Sequence, residues 1–256
     1  MTMIELTAGR VWYDEQGSGP PVLCIHGGAV DGRFFDAIVP TLADHLRVIR
    51  MDLWGHGRSP DREGPFTLTS FAADAAELIE RVAGGRAHVV GHSIGAVVAL
   101  TLALEHPDRV DRLVLASGGF DSSEEQLEDI DGAVAGTVQF LGSSYGEVSP
   151  DGAAHFAVVT RKDFELSNRE PRYTEAELTT GIRSRTLVLL ADDDLGSIEH
   201  NLAMYRAIRD SELAIVPGTS HFFLQEKPAL SAAILRQFLV DDPVPTVAPM
   251  RRAAAR

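Results

Sequence analysis

Hydrophobic positions along the chain alternate between two patterns, and this alternation predicts an α/β fold. Short and mostly continuous apolar runs are typical of strands that are covered on both faces. The predicted strands are Ile4–Leu6, Val11–Tyr13, Val22–His26, Leu46–Met51, His88–Val90, Leu113–Ala116, Leu187–Leu190 and Leu213–Val216. The first two flank Ala8-Gly9, which indicates an opening hairpin.

Between the strands, apolar residues recur at helical spacing. The predicted helices are Phe34–Leu42, Thr69–Ala83, Ile94–Glu105, Ile198–Ile208 and Pro228–Leu239. Thr69 is a candidate N-cap for the second of these, and Gly84-Gly85 would end it. Strands that alternate with helices in this way form a mostly parallel sheet, here of eight strands, with helices on both faces.

One long connection interrupts the alternation. It runs from Phe120 to about Arg185, begins with several acidic residues, and is far longer than a usual connection between elements. It contains two helix-like segments, Val134–Leu141 and Ala153–Thr160. We therefore expect a small helical lid, inserted after the sixth strand, in place of a second core domain.

These patterns divide the chain into three parts. Residues 1–119 and 186–240 are expected to form the core, and residues 120–185 the inserted lid. Residues 241–256 contain three prolines and an Ala/Arg-rich end, so we expect them to form a disordered tail.

Charge and cysteine content narrow the class of partner. The 23 Lys and Arg residues are outnumbered by 37 Asp and Glu residues, which gives a formal net charge of −14. Nucleic acids and anionic membranes bind cationic patches, so neither is an expected partner. The only cysteine, Cys24, lies in an apolar run and excludes an internal disulfide and any multi-cysteine metal site. No segment has the pattern of a signal peptide or a membrane span, so we expect a cytoplasmic protein.

The pentapeptide Gly91-His92-Ser93-Ile94-Gly95 is the central chemical motif. It directly follows a predicted strand and directly precedes a predicted helix. A Gly-x-Ser-x-Gly sequence alone is a weak signal, but this context is that of a nucleophile elbow, a sharp turn that holds serine in a strained conformation. The flanking glycines leave room for the crossing chain. The motif therefore predicts Ser93 as a nucleophile.

A serine hydroxyl needs a base to remove its proton and a third group to orient that base. Apart from His106, at the end of the helix that follows the motif, the histidines downstream are His155, His200 and His221. His155 lies in the predicted lid and His200 in a predicted helix. His221 follows the last predicted strand, which places it at the same sheet edge as Ser93 and predicts it as the base.

The orienting acid is expected after the preceding strand. Three carboxylates, Asp192, Asp193 and Asp194, are adjacent there. Because they repel one another, at least one should have a cationic or hydrogen-bonding partner. Position alone does not choose among them.

Backbone amides are expected to hold the negative oxygen that forms during acyl transfer. One donor should be the amide of Ile94, the residue after the nucleophile. The other should come from the loop His26-Gly27-Gly28-Ala29, in which Gly28 is the best candidate. His26 itself is expected to hold this loop in place.

The ordered set of motifs resembles the α/β-hydrolase superfamily. The matching segments are His26–Gly28, Asp52–Ser59, Gly91–Gly95, Ala191–Asp194 and Gly218–His221, in family order. The resemblance implies the α/β-hydrolase fold, and its usual G-x-x-D pattern implies that Asp194 is the acid, although Ala191 replaces the leading glycine. A family variant would use Asp121 instead. Trp54 is a second departure, at a position where many members carry Arg.

The resemblance implies a serine hydrolase that cleaves a carboxylic ester or lactone of a small molecule through an acyl-enzyme, with no cofactor and no metal. Carbon–carbon bond hydrolysis and cofactor-free perhydrolysis use the same triad and remain alternatives. A non-catalytic ligand-binding protein of this fold is the alternative of another class. Phe34, Trp54, Phe120 and Phe222 lie near the motif loops and could line an apolar substrate pocket. The oligomeric state is left open.

Overall fold

One eight-stranded sheet forms the centre of the molecule in the computed structural model, which describes residues 2–123, 126–244 and 246–248. The strands are β1 (Thr2–Leu6), β2 (Gly9–Gln16), β3 (Pro21–Ile25), β4 (Arg47–Asp52), β5 (Ala87–His92), β6 (Val110–Ala116), β7 (Arg185–Asp193) and β8 (Ser211–Ser220). Their order is β1-β2-β4-β3-β5-β6-β7-β8. Only the β1–β2 and β2–β4 pairs are antiparallel, so the predicted mostly parallel sheet and its opening hairpin are confirmed.

Helices follow most of the strands. They are α1 (Val39–Ala43), α2 (Leu68–Val82), α3 (Ile94–Glu105), α4 (Ile130–Gly146), α5 (Phe156–Arg169), α6 (Glu175–Gly181), α7 (Ile198–Ala207), α8 (Phe223–Glu226) and α9 (Pro228–Val240). Short 3₁₀ turns occur at Gly32–Phe35, Pro107–Arg109 and Ala153–His155.

Both faces of the sheet are buried, which explains the continuous apolar runs. Along β3, Leu23 and Ile25 pack into a core that includes α2, α3 and α7. The alternate residues Val22 and Cys24 pack into a second core, which includes α1 and α9. Successive side chains of a strand point to opposite faces, so a strand in the middle of such a sheet needs apolar residues at every position.

Two of the predicted helices have different boundaries in the structure. The expected helix Phe34–Leu42 is replaced by the 3₁₀ turn and the short α1, because Pro40 has no N–H and suits only a first helical turn. The N-cap of α2 is Thr67 and not Thr69, since the Thr67 side chain accepts a hydrogen bond from Ser70 N–H. The sequence offers two threonines there, and spacing alone did not separate them.

The connection between β6 and β7 is helical and contains α4, α5 and α6. The first two extend well beyond the predicted segments, and α6 was not predicted. The short α6 begins with a capping box formed by Thr174 and Glu177. We refer to residues 117–184 as the insert. Within the described residues, no helix is long and apolar enough to cross a membrane.

The tail predicted at residues 241–256 is described only in part. Residues 245 and 249–256 lie outside the described residues. Those described after α9 form neither helix nor strand, and Arg112 donates a hydrogen bond to the Asp241 carbonyl. The division into core, lid and tail stays a prediction.

Candidate active site

Ser93 occupies a strained turn between β5 and α3. Its backbone angles, φ +56° and ψ −125°, lie in a region that L-residues rarely adopt. A side chain at Gly91 would overlap the Gly95 carbonyl, and one at Gly95 would overlap the carbonyls of Ile25 and His26. Both glycines are therefore required by close backbone approach, and the turn presents Ser93 at the carboxyl edge of the sheet.

His221 and Asp194 form a close pair at the same edge. The His221 Nδ1–H donates to Asp194 Oδ1 over 2.6 Å. The Asp194 carboxylate also accepts hydrogen bonds from Ser117 Oγ and from the N–H groups of Ala191 and Leu195. Burial raises the pKa of Asp194, but the hydrogen bonds from His221 and Ser117 outweigh burial and hold the pKa at about 2. The acid is thus ionised at neutral pH and fixes the orientation of His221.

The neighbouring acids have other partners or none. Asp192 accepts hydrogen bonds from the N–H groups of Gly218 and Thr219, so it braces the last residues of β8. Asp193 is exposed at the end of β7. Asp121, the family-variant candidate, bonds Ser123. Among the three consecutive carboxylates, the structure brings Asp194 to His221.

The two other candidate histidines have different partners, although His200 lines the same cavity as Ser93. His155 Nε2 is 2.8 Å from Asp61 Oδ2, in a contact between the insert and the segment that follows β4. His200 stacks on Phe120 with ring centroids 4.4 Å apart, and its Nε2 accepts a hydrogen bond from the Phe120 N–H over 3.1 Å. Neither contacts Asp194.

His92, the residue before Ser93, joins the elbow to the His221 loop. Its Nε2–H donates to the His221 carbonyl over 2.8 Å, and its ring stacks on Phe34 with centroids 4.3 Å apart. Burial lowers the pKa of His92 to about 3, so the ring is neutral at ordinary pH. This contact fixes the distance between the turn that carries Ser93 and the loop that carries His221.

The predicted oxyanion residues lie beside Ser93. Gly27 leaves no room for a side chain, because a Cβ there would lie 2.9 Å from Ser93 Cβ. A Cβ on Gly28 would lie 2.7 Å from Ile94 Cδ1, so the two expected amide donors are on neighbouring residues of the site. His26 donates from Nδ1 to the Gly27 carbonyl and accepts from the Leu53 N–H, so it holds this loop in place.

A cavity of about 940 Å³ opens over these groups. Ser93, Asp194 and His221 line it, together with Gly28 and Ile94. Helices α4 and α5 of the insert supply much of the opposite wall. Among the described residues that line this cavity there is no Lys and no Arg, whereas four carboxylates do line it: Asp121, Asp163, Glu170 and Asp194. We call it the main cavity.

The four predicted pocket aromatics separate in the structure. Phe222 lines the main cavity, and Phe34 lines an adjoining cavity of about 230 Å³. Trp54 lines neither; it is buried in the core, where it packs edge-on against Phe66 with centroids 4.6 Å apart. Phe120 also lines neither, because its ring is covered by His200. Of the four, the structure thus places Phe34 and Phe222 at these two cavities and buries Trp54 and Phe120.

The sequence matches the alpha/beta hydrolase fold family over residues 20–147, which is half of the chain. The chain belongs to this family. The matched residues include the turn from β5 through Ser93 to α3, and they end within the insert that follows β6.

Individual proteins that are similar to this α/β-hydrolase are named as hydrolases or esterases. A 2-(acetamidomethylene)succinate hydrolase from Mesorhizobium japonicum is 26% identical over 90% of this chain and 92% of its own length. The crystal structure of a hydrolase from Pseudomonas aeruginosa is 26% identical, covers 94% of this chain and 98% of that chain, and superposes with a TM-score of 0.76. A pimeloyl-[acyl-carrier protein] methyl ester esterase from Methylococcus capsulatus is 39% identical over 42% of this chain and 41% of its own length.

The α/β-hydrolase site also contains residues that the motifs did not reveal. Ser117, which follows β6 with φ +52°, bonds Asp194; its position at the carboxyl edge of a strand could have indicated it. Asp163, on α5, is buried beside Gly28 and accepts hydrogen bonds from Ala29 N–H and from His56. Asp163 gives no local signal, because its partners are more than 100 positions away in the sequence.

His56 is the cationic histidine of this α/β-hydrolase. Its Nδ1 faces the Trp54 carbonyl and its Nε2 faces Asp163 Oδ2, so both ring nitrogens must donate. Burial lowers the pKa of His56, but the Asp163 carboxylate outweighs burial and raises it above its usual value. The two form a buried ion pair between the Asp52–Ser59 segment and the insert.

No group of three or more His, Cys, Asp or Glu side chains within the described residues is arranged to hold a metal ion.

Proposed function

We propose that this α/β-hydrolase cleaves a carboxylic ester or lactone of a small molecule by acyl transfer. Ser93 is the nucleophile, His221 the general base and acid, and Asp194 the group that orients His221. The N–H groups of Gly28 and Ile94 bind the oxyanion.

One observation carries this proposal. A serine held at φ +56° and a histidine paired to a buried carboxylate over 2.6 Å line one cavity. A strained backbone at a serine lowers the stability of the fold, and such strain is typical of functional sites. A histidine that is held through Nδ1 has its Nε2 available to accept a proton.

The proposed reaction has two halves. Ser93 Oγ bonds to the carbonyl carbon while its proton moves to His221 Nε2, and the carbonyl oxygen becomes an anion held by the two amides. The C–O bond to the alcohol then breaks, and His221 returns the proton to the departing alkoxide. Water attacks the acyl-enzyme in the same way, which releases the acid and restores Ser93.

The charge of the main cavity limits the substrate class. The described lining has no Lys or Arg to pair with an anionic substrate, so burying such a substrate there would be costly. The relative from Mesorhizobium is named for a succinate, which is a dianion. We therefore expect this chain to act on neutral or cationic esters and to hydrolyse that succinate poorly.

Ser93→Ala tests the proposal directly. Turnover of 4-nitrophenyl butyrate should fall to background, because no other group replaces the nucleophile. Ser18→Ala, at an exposed serine, is the matched control and should keep wild-type turnover. Unchanged turnover by a folded Ser93→Ala protein would contradict the assignment.

A substrate panel separates the alternatives that share the triad. Esters, lactones and diketones of graded length should be compared with Ser93→Ala as the blank. Hydrolysis of diketones alone would favour a carbon–carbon hydrolase. If a fluorophosphonate probe failed to label Ser93, a non-catalytic binding protein would be favoured instead.

A further inference from the structure

Most of the buried side-chain oxygens that lack a hydrogen-bond partner belong to residues that line the main cavity. Among the described residues, four buried side-chain oxygens have no hydrogen-bond partner. Three of them belong to residues that line this cavity: Thr160, Asp163 and Asn201. A buried polar atom without a partner costs free energy, so such a cluster in a cavity wall points to a partner that comes from outside the chain.

Of the three residues, Asp163 has the greatest need for a partner, because its side chain is a carboxylate. Only 3% of its surface is exposed, and the unpartnered atom is Oδ1. The other oxygen, Oδ2, already accepts hydrogen bonds from Ala29 N–H over 2.9 Å and from His56 over 3.0 Å. The carboxylate is therefore held in a fixed position with one acceptor unused.

Thr160 lies three positions before Asp163 on α5, so the two side chains share one face of the helix. Its Oγ1 is also buried without a partner. Phe164 and Ser167 continue the same face along the cavity wall. Asp163 and Thr160 thus form a polar patch in a wall that also carries apolar side chains.

This patch is close to the reacting carbonyl in the proposed mechanism. A Cβ built on Gly28 would lie 3.1 Å from Asp163 Cγ and Oδ2. Gly28 is the residue whose N–H is proposed to bind the oxyanion. In that mechanism, a substrate group that reaches Asp163 is expected to be attached close to the scissile carbonyl.

We propose that Asp163 and Thr160 form a specificity subsite for a substrate that carries an O–H or N–H donor beside its scissile carbonyl. This inference rests on the acyl-transfer function proposed above. The Asp163 carboxylate can only accept a hydrogen bond, so it selects a hydroxyl, amide or ammonium group over a methyl group or a carboxylate. The surrounding carboxylates are compatible with an ammonium group as well as with a neutral donor.

Three ethyl esters of nearly equal shape test the subsite: 2-hydroxybutyrate, 2-aminobutyrate and 2-methylbutyrate. In the wild-type protein, kcat/KM for the better of the two donor esters should exceed that for the methyl ester by about tenfold or more. The ranking of the hydroxyl and ammonium esters tells which donor the subsite takes.

Variants on α5 assign the preference to the carboxylate. In Asp163→Asn the amide oxygen can still accept from Ala29 N–H and His56, which puts an NH2 donor where Oδ1 was. The ratio of donor-ester to methyl-ester kcat/KM should therefore fall towards one, whatever the absolute rate for the methyl ester. Glu165→Gln makes the same chemical change on the exposed side of the same helix and should keep the preference. If Asp163→Asn does not fold, Thr160→Val replaces it and should lower the ratio about threefold.

Each other outcome has a definite meaning. If wild type hydrolyses the methyl ester in a Ser93-dependent way without preferring either donor ester, the subsite is wrong and the proposed function stands. If Asp163→Asn lowers kcat/KM equally for all three esters, Asp163 only positions the Gly28 loop and the subsite is again wrong. If no ester is hydrolysed with dependence on Ser93, the proposed function fails and the inference fails with it.

Discussion

At the scale of single residues, burial and hydrogen-bond partners together set the charge of three buried histidines. His26 donates from one ring nitrogen and accepts at the other, and His92 donates from one nitrogen only, so both are neutral. His56 has acceptors on both sides and carries the positive charge. His56 thus carries its charge beside Asp163, whereas His26 and His92 stay uncharged.

The choice among the three consecutive aspartates can be tested by single substitutions. Asp194→Asn should lower kcat for an ester substrate by a factor on the order of 10⁴, because the amide no longer fixes the proton-accepting tautomer of His221. The exposed neighbour provides the control, and Asp193→Asn should stay within about threefold of wild type. Equal losses in both variants would mean that the Asp194–His221 pair has no special role.

The role of a residue could be predicted from the sequence only where the residue that it contacts also lies in a recognised motif. His221 and the group of three aspartates followed from chain order and strand ends. The roles of Asp163 and Trp54 did not, because each depends on contacts between distant segments. Asp163 bonds Ala29, 134 positions away, and Trp54 is enclosed by Phe66 and Phe71.

At the scale of elements, close approach of β3 to the start of α3 fixes the elbow. Gly95 lies against the carbonyls of Ile25 and His26, which end β3 and begin the Gly28 loop. The nucleophile turn and the oxyanion loop are therefore packed as one unit. Any side chain at Gly95 must push the two elements apart.

Gly95→Ala should lower the free energy of unfolding by about 3 kcal/mol or more, since its Cβ has no space beside two backbone carbonyls. Gly136→Ala on α4 is the matched control. A Cβ there meets nothing within 4 Å, so the same change should be neutral or stabilise by about 0.5–1 kcal/mol. Urea unfolding measures both, and a stable Gly95→Ala protein would disprove the tight contact.

Helix α4 also places an apolar side chain at the mouth of the main cavity. Phe140 is 73% exposed, and it lines the cavity together with Leu195, which is 83% exposed. Such side chains can cover the far end of a long acyl or alcohol chain. Phe140→Ser should therefore lower kcat/KM for an octanoate ester about fivefold, with little change for an acetate ester.

Val158→Ser is the matched control for this prediction. Val158 is an exposed apolar residue of α5 that does not line the main cavity, so its change should leave both esters unaffected. A similar loss of kcat/KM for the octanoate ester in both variants would mean that the effect comes from a change in the insert as a whole and not from the side chain at the mouth of the cavity.

Strands were easier to predict than helices at this scale. Burial on both faces forces nearly continuous apolar runs, which mark the central strands β3, β5, β6 and β7. Helix ends depend on local capping and on proline, and this is where the predictions for α1 and α2 failed. The insert was recognised by its length, but α6 lacks a strong apolar pattern because it buries only Leu178 among its seven residues.

At the scale of the whole molecule, two buried neutral histidines couple stability to pH. Burial lowers the pKa of both His26 and His92 from 6.5 to about 3. The unfolded chain binds a proton at each ring below about pH 6.5, whereas the folded chain does not until about pH 3. The unfolded state therefore takes up more protons in this window, and stability falls as the pH falls. His56 has a raised pKa, so its contribution is lost only as the pH rises and does not oppose this trend.

This coupling predicts the pH dependence of unfolding. Between pH 6 and 5, His92→Gln should reduce the slope of unfolding free energy against pH by about 1 kcal/mol per unit. The exposed His45→Gln serves as control and should keep the wild-type slope. Urea unfolding at several pH values measures the slopes, and identical slopes in all three proteins would show that His92 is not buried in its neutral form.

The acidic lining of the main cavity also has a consequence for the end of the catalytic cycle. Ester cleavage turns a neutral acyl group into a carboxylate, and the described lining offers that new anion no Lys or Arg to hold it. With no cationic side chain there to bind it, the new carboxylate is better stabilised in water, and the acid leaves the cavity. Turnover should accordingly resist inhibition by accumulated acid, and departure of the alcohol or the chemistry itself would limit the rate.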